Sequence, residues 1–169
     1  MSGRISMLRM SVMSSVALTG MLLSLGAHAV DVNFRGTLID PPPCTINGGT
    51  DVDVNFGSTV LTTRVDGVNY RMAVPLNIVC TAPPLNTMRL QFVGTGAPFD
   101  ASVLNTDKTD LGIKLYSGTG TANPVDVNAW LNFTYPTFPA IEAVLVKNPG
   151  STLTSGVFSA ASTVLLDWQ

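Results

Sequence analysis

Residue types that carry most enzymatic and metal chemistry are scarce in this 169-residue chain: one histidine (His28), one glutamate (Glu142) and two cysteines (Cys44 and Cys80). His28 falls in a segment read below as a cleaved leader, and without an imidazole the usual Ser-His or Cys-His activation is impossible. Lys108, Lys114 and Lys147 stand in no recognisable Ser-Lys motif. Asp51 and Asp53, two apart on an expected strand, share a face, but the about six to eight oxygen ligands of a calcium site are not evident around them. They read as a solvated strand face. Gly118-Thr119-Gly120 lacks the further glycine and the helix of a phosphate-binding loop and reads as a turn, and the sequon Asn132-Phe133-Thr134 is given no function. Nine Lys and Arg against eleven Asp and Glu, with no basic block, leave no electrostatic footprint for nucleic acid. No catalytic residue, metal, cofactor, nucleic acid or small-molecule substrate is therefore expected.

The elements that would position any site begin after a leader. Residues 1–29 show Arg4 and Arg9, an apolar stretch from Met10 to Leu25, and Ala27-His28-Ala29 as a small-x-small cleavage site. Ser11, Ser14, Ser15, Thr19 and Ser24 interrupt the stretch, which falls short of the roughly 18–20 apolar residues of a membrane span. Cleavage after Ala29 leaves 140 residues, room for one domain, with seven basic residues against eleven acidic. Export implies an oxidising compartment, where Cys44 and Cys80 read as one structural disulfide stabilising by about 3.5–4 kcal/mol on the chain-entropy estimate. A redox pair would more usually show Cys-x-x-Cys spacing.

With 46% hydrophobic and 12% charged residues the chain is no disordered polyelectrolyte. Short runs rich in Val, Ile, Leu, Thr and Phe alternate with Gly, Pro, Asn and Asp clusters, the pattern of an all-β sandwich. Strands are expected over residues 32–39, 52–56, 70–79, 88–93, 111–116, 125–133, 141–147 and 158–168, with turns at Asn47-Gly48-Gly49, Asp66-Gly67, Pro83-Pro84, Gly94-Thr95-Gly96, Gly118-Thr119-Gly120 and Asn148-Pro149-Gly150.

Two segments stand apart. Val30, Val32, Phe34, Gly36 and Leu38 alternate with Asp31, Asn33, Arg35, Thr37 and Ile39, a nearly pure period of two. Asp40-Pro41-Pro42-Pro43 follows, removing three backbone donors and favouring a stiff extended link that holds the strand away from the body. A detached amphipathic strand must find a sheet, its own or another's. At the other end Phe158, Ala160, Val164, Leu166 and Trp168 lie on one face, and the sequence stops at Gln169. In an immunoglobulin-like sandwich the last strand is flanked by another that closes the core, so one strand is expected to be missing.

These residues resemble the chaperone-usher pilus subunits of Gram-negative bacteria. Phe34-Arg35-Gly36-Thr37-Leu38-Ile39-Asp40, then prolines and Cys44-Thr45-Ile46-Asn47, is similar to the start of those subunits. Gly156 thirteen positions before the end, Phe158-Ser159-Ala160 and a penultimate aromatic resemble their finish, and Cys80 ends a strand as the family places it. The likeness covers essentially residues 30–169. It implies an all-β, incomplete immunoglobulin-like β-sandwich, the six-stranded pilin fold lacking its seventh strand, with residues 30–43 as an N-terminal donor extension and 44–169 as the pilin domain. It further implies partners: a periplasmic pilus chaperone, an outer-membrane usher, and neighbouring subunits that exchange strands, with the product reaching the cell-surface fimbrium through the periplasm.

Carried over by position, Val32, Phe34, Gly36 and Leu38 would fill a neighbour's groove, Gly36 at a point where a side chain would clash. The alternative is a glycine in an ordinary strand, which weakens it. Gly156, Phe158, Ala160, Val164, Leu166 and Trp168 would line this chain's acceptor groove and, with the Gln169 carboxylate, meet the chaperone. The family's penultimate residue is usually Tyr, and Trp168 keeps the apolar surface while moving the polar handle. At 140 residues a second, receptor-binding domain as in the family's tip adhesins is not expected. Pro41 to Gly48 and the run from Leu111 to Tyr116 resemble tip-fibre adaptors more than rod pilins, which favours a minor subunit over the main rod subunit. A self-complete secreted sandwich, closed by residues 30–39 and binding sugar or protein with Trp130 as its exposed aromatic, is the competing reading.

Overall fold

The computed structural model describes residues 32–38, 40 and 42–169. The leader read over residues 1–29 lies outside the described residues. The chain divides into two compact units, Met1–Leu38 and Ile39–Gln169. In the first, residues 32–38 form no strand ladder, and Val32, Phe34 and Leu38 are 69, 91 and 100% exposed.

The second unit is nearly all β. Its strands are β1 (Cys44–Ile46), β2 (Arg71–Val74), β3 (Ile78–Cys80), β4 (Thr87–Val93), β5 (Gly96–Ala97), β6 (Asp100–Asn105), β7 (Leu111–Ser117), β8 (Pro124–Val125), β9 (Trp130–Thr134), β10 (Ile141–Lys147) and β11 (Thr163–Trp168). They form a sheet in the order β2-β10-β7-β6-β5 with β8 added on β7, a three-stranded sheet β11-β4-β9, and the pair β1-β3. All pairings are antiparallel. Period-two alternation turns Met88, Leu90 and Phe92 of β4, Leu111, Ile113 and Leu115 of β7, and Ile141, Ala143 and Leu145 of β10 into one shared core. The Cys44–Cys80 disulfide joins opposed residues of β1 and β3.

Several strands differ from expectation for local reasons. The run over 70–79 breaks into β2 and β3 at Pro75, which has no N–H for a ladder, and the chain changes sheets there. The run over 125–133 breaks into β8 and β9 around Asn128, whose φ of 63° belongs to a turn. Residues 52–56 alternate in burial yet pair with no strand among the described residues, and of the run over 158–168 only Thr163–Trp168 joins a ladder. β1 and the β5-β6 hairpin were not expected; in β6, Asp100, Ser102 and Asn105 are poor strand formers.

Candidate functional site: an open cleft beside the last strand

β11 pairs with β4 from Thr163 opposite Val93 to Trp168 opposite Met88, and it is the edge of its sheet. The Gln169 amide donates to the Thr87 carbonyl at 3.1 Å, so residues of the same parity turn their backbone groups toward β4. The backbone groups of Val164 and Leu166 therefore face the free edge, while their side chains pack against the core. An edge of this kind is a template for another strand.

The chain leading into β11 is pinned rather than paired. The Ser159 amide and hydroxyl donate to the Asp107 carboxylate at 2.8 and 2.7 Å, and the Asp107 amide donates back to the Ser159 carbonyl at 3.0 Å. The backbone N–H of Ser159, then its hydroxyl, hold the Asp107 carboxyl below the ordinary carboxylate range. Lys108 Nζ donates to the Ser155 carbonyl at 2.7 Å. Gly156 sits at φ 131°, and a Cβ there would lie 2.8 Å from Lys108 Nζ.

Opposite this wall runs the unpaired extended segment 50–56. Between the two lies a cleft of about 1240 Å³, with Phe92, Leu104, Leu111, Ile113 and Leu115 among the residues lining it. Phe56 and Phe158 meet across it with ring centroids 6.0 Å apart. The core is thus apolar, open along one side, and bordered by backbone without ladder partners.

The residues expected to share a groove are only partly brought together. Gly156, Phe158, Ala160 and Val164 line the cleft. Leu166 packs against the core beyond it, and Gln169 is exposed. Trp168 is buried, and its indole N–H donates to the Asp40 carbonyl at 3.0 Å, so the displaced polar handle has a partner within the same unit. That bond alters the reading of the proline link as a spacer. Prolines offer acceptors but no donors, and the body supplies donors: Trp168 to the Asp40 carbonyl, Cys44 to Pro42, and Thr81 to Pro43. The link is laced to the β body through its carbonyls.

Sequence reasoning overlooked the second wall, Val52, Val54 and Phe56, together with Asp107 and Lys108. The alternation of the first three was visible. What they faced was not.

Comparison with known proteins agrees with this geometry. The family model described as Fimbrial protein matches residues 32–169. The chain is similar to the uncharacterized fimbrial-like protein YfcR of Escherichia coli K12, 34% identical over 85% of this chain and 84% of the relative. It is also similar to the fimbrial adapter PapF of Escherichia coli, 32% identical over 70% of this chain and 68% of that protein. Among solved structures, the P pilus rod subunit PapA superposes with a TM-score of 0.61 at 23% identity, covering 75% of this chain and 99% of that one, which is a likeness of fold. The chain belongs to the fimbrial protein family and is a structural subunit of a chaperone-usher pilus. As such it works in contact with neighbouring pilus subunits at the cell surface.

Proposed function

We propose that the cleft accepts a β-strand donated by the adjacent subunit, and that residues 30–39 are in turn donated to the next. The observation that carries this reading is the free edge of β11 on an open apolar cleft. An entering strand hydrogen-bonds to the backbone of Val164 and Leu166 and lowers alternate side chains onto the core. The chain's own Val32, Phe34 and Leu38 are exposed large apolar groups at that spacing, each offering about 1.5–3 kcal/mol if buried in a neighbour. A Cβ at Gly36 meets nothing within 4 Å here, so a need for glycine there arises in the neighbour's groove.

During transit through the periplasm a chaperone covers the cleft, with Gly156, Phe158, Ala160, Val164, Leu166 and Trp168 on its side and the Gln169 carboxylate as the charged handle. At the outer-membrane usher the neighbour's strand replaces it. The process is strand exchange and involves no catalysis. The adaptor name of PapF favours a place near the fibre tip.

The test is to melt the mature chain alone and with an alternating strand appended after Gln169 through a flexible linker. A large rise in melting temperature and soluble yield supports an open acceptor. A well-folded monomer unchanged by the addition overturns it and returns attention to the self-closed sandwich.

A further inference from the structure

Resting on the acceptor reading, this inference concerns the opposite face of the incoming strand. Along residues 50–56, Val52, Val54 and Phe56 are half-buried, whereas Asp51, Asp53 and Asn55 are exposed. Asp51 and Asp53 both border the cleft, and neither makes an ion pair among the described residues. Among the described residues the one cation bordering the cleft, Lys108, extends from the other wall and holds the Ser155 carbonyl. On the β11 side the outward residues are Thr163, Leu165 and Asp167, and Asp167 is already paired with Arg89. Among the described residues, the charges bordering the cleft without an ion pair are Asp51 and Asp53 on one wall and Lys108 on the other, so a strand lying beside residues 50–56 meets the two carboxylates.

A strand laid between residues 50–56 and β11 sends every second side chain into the core. The intervening ones face solvent beside Asp51 and Asp53, at the roughly 4.5–5.5 Å Cβ spacing of cross-strand neighbours. A lysine or arginine there meets two carboxylates, and an aspartate or glutamate is repelled by both.

We propose that the cleft selects its partner by charge as well as by apolar fit, favouring a donated strand with basic residues on its solvent-facing side next to Asp51 and Asp53. The partner so described is a neighbouring subunit whose N-terminal extension carries Lys or Arg on its outer face.

The experiment appends strands after Gln169 that share the same core-facing residues and differ only outward, with Lys in one version and Glu in the other. Both are melted at low and high salt, in the parent chain and in Asp51→Asn/Asp53→Asn. The expected result is a melting temperature about 2–6 °C higher for the Lys version at low salt. The gap should close near 1 M salt, where screening extends only about 3 Å, and should vanish in the double variant. Equal melting of both versions, each well above the strandless chain, overturns charge selection and leaves the acceptor reading standing. A gap that persists in the double variant overturns the assignment to these two aspartates. Failure of both versions to raise the melting temperature overturns the acceptor reading and this inference with it.

Discussion

Trp168→Phe separates the hydrogen bond of the penultimate aromatic from its packing. Trp168 is 6% exposed, faces Met88 across the β11-β4 ladder, and donates its indole N–H to the Asp40 carbonyl at 3.0 Å. Phenylalanine keeps an aromatic ring and loses the donor, worth about 0.5–1.5 kcal/mol net. The smaller ring also leaves part of the site unfilled, adding about 1–2 kcal/mol. Together these predict a loss of about 1.5–3.5 kcal/mol. At roughly 3–4 °C per kcal/mol for a domain near this size, melting should fall by about 5–14 °C. The assay is thermal melting of the strand-complemented chain combined with amide exchange. The Thr81 amide, which donates to the Pro43 carbonyl, should exchange faster once the Asp40 end of the link is released. A melting temperature within about 2 °C of the parent, with Thr81 protection unchanged, would refute the argument that the indole holds the link.

Three further outcomes are expected. Replacing both cysteines by serine opens a loop closed by residues 36 apart and should cost about 3.5–4 kcal/mol, read by denaturant unfolding of the complemented chain. The Asp107 carboxyl is held below its unfolded value, so its contribution is complete above about pH 4 and fades as pH falls through the depressed folded value. Asp107→Asn should flatten that part of the melting profile between about pH 2 and 5. Gly36→Leu should leave this chain's own melting unchanged, since nothing lies within 4 Å of the new Cβ, yet slow or block its insertion into the next subunit, measured by assembly of purified subunits.

Period-two alternation made β4, β7 and β10 legible, because a strand buried on one face must repeat apolar residues at that spacing whatever its neighbours. The expectation of export and the cysteine count pointed to the Cys44–Cys80 bridge, since a lone pair in an oxidising compartment has one intramolecular partner to find. The same pattern could not say which alternating segments have ladder partners. Residues 52–56 and 158–162 alternate or carry apolar groups as a paired strand would, yet they form the two walls of a cleft. Pairing depends on where the rest of the chain runs, and that is a long-range property. The pin between Asp107 and Ser159, 52 residues apart, and the bond from Trp168 to Asp40, 128 apart, are decided in the same way. Sequence by itself determined a disulfide-bonded, nearly all-β sandwich. Only the tertiary structure decided that the core stays open beside β11, because an edge is free or occupied according to what folds next to it rather than by its own residues.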